Sequence, residues 1–228
     1  MDTVILILEI LGTVAFAMSG AMVAIKRGMD IFGVAILGLT TACGGGIVRD
    51  LLLGVTPPSA FVDEIYAIVA ILTAMILFLP SVRRVLVSHT KLYETVSLWM
   101  DSIGLGLFTV IGVQTAHYHT EDCSLFLSLF LGVITGVGGG VLRDVMSKNI
   151  PYIFIKHFYA TASLIGAAVT TVFFYLDLEL VGIIAGAVTV IVLRLLAAKF
   201  RWSLPKAHEI SESKTEREKT PSQVGSGT

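Results

Sequence analysis

Charge is what this sequence has least of. Only 14% of its 228 residues are Asp, Glu, Lys or Arg, while 55% are hydrophobic. Soluble domains carry about 25% charged residues to cover their surface. The shortage is local, because charges gather in short clusters and in the segment after Trp202. Between clusters the apolar runs are about 20 residues long, enough to cross roughly 30 Å of hydrocarbon. A soluble core cannot bury so many runs of that length, so a soluble fold is excluded. Cysteine is scarce too. Cys43 lies inside one apolar run and Cys123 beside another, which indicates no disulfide framework. Residues Met1, Asp2 and Thr3 form no basic leader, and the run Val4–Ile25 is too long for a signal peptide and lacks a cleavage pattern. It reads as a retained helix. No nucleophile–base constellation is visible, so no enzyme is expected. No cofactor, metal or nucleic-acid partner is expected either.

What is present is a series of seven candidate spans with a mean hydropathy over the whole chain of +0.86. They cover about 4–25, 31–53 (interrupted by glycines), 65–79, 96–116, 125–146, 154–176 and 180–196. Pro57, Pro58, Pro80 and Pro151 fall in the connections, where a missing N–H is harmless. From Pro205 the chain turns polar, and 204–228 reads as a disordered tail. Lys26, Arg27, Arg83, Arg84, Lys91, Lys148, Lys156, Lys199, Arg201 and Lys206 fall at one set of ends. The loops near Thr56, Tyr118 and Asp177 contain no Lys or Arg. Basic connections mark the cytoplasmic side, so the N-terminus is outside and the C-terminus inside.

The chain also repeats itself. Gly44-Gly45-Gly46-Ile47-Val48-Arg49-Asp50 recurs 94 positions later as Gly138-Gly139-Gly140-Val141-Leu142-Arg143-Asp144. At the same spacing Gly38 meets Gly132, Thr41 meets Thr135 and Pro57 meets Pro151. Earlier in each half the spacing is 92, and Glu9 meets Asp101, Gly12 meets Gly104, Phe16 meets Phe108 and Gly20 meets Gly112. Three spans per half is an odd number, so the second half enters the membrane upside down relative to the first. The organisation expected is a three-helix repeat at 1–92, its inverted copy at 93–178, and a seventh helix at 179–203.

The glycine triplets carry two readings. Three consecutive glycines weaken a helix, each by roughly 1 kcal/mol relative to Ala. Paired interrupted helices at matching places in two halves point to a transport site near the midplane. On that reading Gly44, Gly45, Gly46, Gly138, Gly139 and Gly140 break the second and fifth spans and line a path. The other reading is close helix packing, which Gly38-x-x-x-Ala42 and Gly132-x-x-x-Gly136 already suggest. Neither triplet is a phosphate loop, because no Gly-Lys-Ser/Thr follows. Thr40, Thr41 and Thr135 could supply oxygens to a permeant group or bond back to helix carbonyls.

Arg49 and Arg143 are ionisable residues in apolar surroundings, which usually face a bundle interior or water. Asp50 and Asp144 follow them, and Glu9 and Asp101 lie at matching levels, giving candidate pairs Glu9–Arg49 and Asp101–Arg143. Alternatively all four charges snorkel to headgroups. His117, His119, Glu121 and Asp122 read as a solvated outer loop more readily than as a metal site.

Two Gly-Gly-Gly-x-x-Arg-Asp motifs in a three-plus-three-plus-one helix protein resemble the prokaryotic trimeric intracellular cation (TRIC) channels, a family also labelled bacterial glycine transporters. The resemblance runs from about Glu9 to Pro205. It implies an all-α inner-membrane protein and a homotrimer embedded in lipid. Each subunit would have a pore between the second and fifth helices, and the permeant ion would be potassium. The transporter label implies glycine or another small amino acid. The charge pattern makes one prediction directly: a reporter fused after Thr228 will report the cytoplasm, and a periplasmic signal would contradict the orientation.

Overall fold

A computed structural model of the protein describes residues 2–120, 122–155, 158–200 and 202. The expected tail over 204–228, together with Glu121, Lys156 and Arg201, lies outside the described residues. The described chain is helical throughout: α1 (Asp2–Lys26), α2 (Ile31–Leu52), α3 (Ser59–Val62), α4 (Glu64–Phe78), α5 (Pro80–Ser88), α6 (Thr90–His119), α7 (Leu125–Met146), α8 (Tyr152–Ile155), α9 (Tyr159–Tyr175) and α10 (Glu179–Phe200). Five of these, α1, α2, α6, α7 and α10, are long and apolar enough to cross a membrane. The third and sixth expected spans are shorter. α4 has 15 residues and α9 has 17, which at about 1.5 Å per residue rise only about 25 Å. α5 follows α4 at a bend of 74°. Pro80 forces the preceding residue out of helical geometry, and Leu79 is extended at ψ 136°.

Local sequence sets the helix ends. Asp30 caps α2 by accepting from the Gly33 N–H at 2.7 Å, and Ser124 caps α7 by accepting from the Leu127 N–H at 3.2 Å. α2 runs out through Gly54 at φ 72°, and α7 through Lys148 at φ 55°. Gly54 adopts the left-handed conformation freely, whereas Lys148 holds it against its Cβ.

The bundle is built inside out relative to a soluble one. Large apolar side chains such as Ile7, Phe32, Leu72, Phe126 and Ile184 stand exposed on the helices. Hydroxyls and small residues sit inside among buried Phe16, Met22, Leu37 and Leu105. Thr109 bonds Ser163 at 2.7 Å and Ser128 bonds Thr171 at 2.8 Å, tying α6 and α7 to α9. Lipid gives no hydrophobic drive for helix association, so close packing of small residues and interhelical hydrogen bonds do that work.

α2 packs against α7 and α1 against α6 at the centre. There the expectation of broken helices is corrected: α2 and α7 run unbroken through both glycine triplets. The reason is steric. A Cβ on Gly45 would stand 2.1 Å from the Thr135 carbonyl oxygen, and one on Gly139 would stand 2.1 Å from the Thr41 carbonyl oxygen. The glycines let two intact helices touch backbone to backbone, and each keeps its own hydrogen-bond ladder. The α1–α6 contact is likewise reciprocal. The Phe16 and Phe108 rings stack with centroids 5.3 Å apart, Phe16 lying over Gly104 and Phe108 over Gly12.

A Cβ on Gly104 would sit 2.2 Å from Phe16 Cδ1. Gly104→Ala will therefore force the stacked rings apart and destabilise the protein by about 1–3 kcal/mol. Thermal unfolding in detergent reads this, and an unchanged midpoint would contradict it.

Candidate functional site

The two Arg-Asp motifs end α2 and α7 and build matching structures. Arg49 Nε donates to Asp50 Oδ1 at 2.8 Å, and Arg143 Nε donates to Asp144 Oδ1 at 2.9 Å. The sequence neighbours are therefore ion-paired in both halves. Each Asp then turns its second oxygen to the start of a short helix. Asp50 Oδ2 accepts from the Ser59 N–H and hydroxyl at 2.8 and 2.6 Å, and Asp144 Oδ2 accepts from the Tyr152 N–H at 3.0 Å. Asp50 and Asp144 fasten α3 and α8 under the ends of α2 and α7. This capping role carries no signal in the spans themselves.

Beyond that the halves diverge. Arg143, 1% exposed, donates through Nη1 to Asp101 Oδ1 at 2.6 Å and to Ser19 Oγ at 2.5 Å. Asp101–Arg143 is thus a buried pair. The matching pair Glu9–Arg49 does not form: Tyr66 donates its hydroxyl to Glu9, and Arg49 spends its fork on Asp50. Tyr159 makes the equivalent contact in the second half, donating to Asp101 Oδ1 at 3.3 Å. Sequence reasoning missed both tyrosines. It also missed Arg194, an ionisable residue amid Val-Ile-Val-Leu and Leu-Leu in α10, where the rule applied to Arg49 and Arg143 would have found it.

Asp101 and Arg194 lie at the floor of a cavity of about 1080 Å³. Its walls come from the end of α1, the start of α6, the chain after α7 and the end of α10, and Lys26, Arg27, Glu94 and Lys148 are among the lining residues. Arg27 donates to Asn149 across this region, joining α1 to the chain after α7. Arg194 Nη2 faces Asp101 Oδ2 at 3.5 Å. Neither atom has a hydrogen-bond partner.

The path residues named from sequence sit at the crossing, not on the cavity wall. Thr41 and Thr135 are fully buried and donate back to Leu37 O and Leu131 O, each at 2.6 Å. A Cβ on Gly44 would meet Leu142, and one on Gly140 would meet the Tyr159 hydroxyl at 2.7 Å. Gly138 packs on Gly45, while Gly46 has only Arg49 Nη2 near it, at 3.8 Å. At the opposite end His117 Nε2 lies 3.2 Å from Ser128 Oγ with its ring against Phe174, and His119 bonds Thr115 O. Among the described residues no three metal-ligating side chains converge. Cys43 and Cys123 are free thiols on separate segments.

The sequence model of the glycine transporter family matches the chain twice, over residues 6–81 and 98–175. The chain is 37% identical to the UPF0126 inner membrane protein YadS of Escherichia coli over 201 residues, covering 87% of this chain and 93% of that one. It is 32% identical to the UPF0126 membrane protein YvgT of Bacillus subtilis over 199 residues, covering 87% and 94%. Among solved structures, a prokaryotic TRIC channel in 0.5 M KCl superposes with a TM-score of 0.81 at 29% identity, covering 90% of this chain and 100% of that one. The TRIC trimeric intracellular cation channel orthologue from Rhodobacter sphaeroides gives 0.77 at 30% identity, covering 88% and 100%. A structure described as a basis for conductance through TRIC cation channels gives 0.76 at 37% identity, covering 90% and 98%.

The charge geometry makes its own prediction. Arg143→Met leaves Asp144 without its arginine inside the bundle and should cost about 3–5 kcal/mol. Arg49→Met should cost less, because Asp50 keeps both Ser59 hydrogen bonds. Melting temperatures of the two purified variants check the ranking, and equal small shifts would contradict it.

Proposed function

The chain is a membrane protein of the glycine transporter (UPF0126) family with the fold of TRIC cation channels, and from that premise we propose that it is an inner-membrane channel for monovalent cations, potassium first. One observation carries the cation reading. Asp101, 2% exposed, presents an oxygen without a hydrogen-bond partner at the floor of the large cavity. A buried carboxylate oxygen beside a cavity attracts a cation strongly, because low surrounding dielectric strengthens the attraction.

The path runs in each subunit from this cavity, past the α2–α7 crossing, toward Glu9 and Arg49. Thr41, Thr135 and the two glycine triplets form its waist. Seven crossings, with α4 and α9 as the short ones, place the N-terminus outside and the cavity on the cytoplasmic side, as the Lys and Arg positions require. Residues 1–92 and 93–178 are inverted copies. The double family match and the reciprocal Gly45–Thr135 and Gly139–Thr41 contacts support that reading. A homotrimer in lipid fits the exposed apolar helix faces.

Liposomes holding the purified protein test the function. Potassium flux driven by a KCl gradient, with no uptake of labelled glycine, is the expected result. Glycine uptake without potassium flux would overturn the channel reading in favour of a small-amino-acid carrier.

A further inference from the structure

The last helix, α10, adds a charge that the repeated part lacks. The first-half cluster holds Glu9, Arg49 and Asp50, two acids against one base. The second-half cluster holds Asp101, Arg143, Asp144 and Arg194, two against two. The extra base is Arg194 on α10, and α10 lies outside both segments that match the family model.

Arg194 is 3% exposed, and its contacts are unequal to its burial. Nε and Nη2, which form one edge of the guanidinium fork, have no hydrogen-bond acceptor. The one carboxylate oxygen in reach, Asp101 Oδ2, is 3.5 Å away and also unpartnered. Charge-assisted contacts normally close to about 2.7–2.9 Å, and Arg143 does so on the other oxygen of the same carboxylate, at 2.6 Å. Asp101 is thus held firmly on one side and loosely on the other, and both Asp101 and Arg194 border the cavity. The Arg194 guanidinium also lies over the Tyr159 ring, 4.7 Å from its centroid, a second seat for the same cation.

Resting on the channel reading, we propose that Arg194 is a tethered cation that fills the place beside Asp101 Oδ2 which a permeating cation would take, and so limits cation entry from the cavity. The cavity lining carries Lys26, Arg27, Lys148 and Arg194 against Glu94 and Asp101, and Arg194 is the one of these four bases within ion-pair reach of Asp101. Removing its charge frees Asp101 Oδ2 for a cation from the cavity and lowers the positive charge of the lining.

Single-channel recordings in planar bilayers test this. Arg194→Gln should raise potassium conductance roughly three- to tenfold in dilute KCl. The gain should shrink toward about 1 M salt, where screening acts within roughly 3 Å. Unchanged or reduced conductance would overturn the proposal. Arg194→Cys provides a test within one folded protein. A positively charged aminoethyl methanethiosulfonate should return its conductance toward the wild-type level, and a neutral methyl reagent should not. The same reagents applied to wild type account for Cys43 and Cys123. Equal effects of the two reagents would also overturn it. Wild-type protein that passes no potassium would instead contradict the channel reading itself, whereas a conducting wild type with an indifferent Arg194 would contradict only this inference.

Discussion

Two helices cross here at a distance that leaves no room for a side chain. Gly45 on α2 faces the carbonyl of Thr135, and Gly139 on α7 faces the carbonyl of Thr41. Every other feature of the interior is arranged around that contact. Thr41 and Thr135 turn their hydroxyls back onto their own helices, where the next layer of glycines, Gly20 and Gly112, meets them. The stacked Phe16 and Phe108 rings close the α1–α6 contact beside it. In lipid this kind of packing is the main available source of association, because apolar side chains gain nothing by leaving hydrocarbon for one another.

The charges obey a second constraint, that of low dielectric. Each arginine that ends α2 or α7 is fixed by the next residue, and each of those acids is consumed by the start of a short helix. The motif is therefore a structural clamp in both halves. What distinguishes the halves is the neighbourhood of the clamp. A tyrosine satisfies Glu9 on one side, while on the other Asp101 is shared between Arg143 and Arg194 beside a large cavity. Function has most room in this asymmetry.

The long helices α1, α2, α6, α7 and α10 were legible because long apolar runs leave few alternatives. The repeated motif was legible because it preserves glycines, which side-chain chemistry cannot replace. The course of the helices through the triplets was less so. A glycine that relieves a clash and a glycine that interrupts a helix look alike in sequence, and only the facing Thr41 and Thr135 carbonyls distinguish them. The partner of Glu9 was hidden for a similar reason. Tyr66 sits in an ordinary apolar span, and its hydroxyl matters only once α4 lies against α1. Arg194 carries the same signal as Arg49 and Arg143, an ionisable residue within an apolar run, but stands outside the repeat.

The α2–α7 crossing is best tested by adding one methyl group to it. Thermal unfolding of purified Gly139→Ala beside wild type measures the effect directly. A Cβ 2.1 Å from the Thr41 carbonyl oxygen cannot be accommodated without separating the helices, so the midpoint should fall by several degrees, about 1–3 kcal/mol of overpacking. An alanine variant as stable as wild type would show that the helices do not meet at the glycines, and the account of the interior would fail with it.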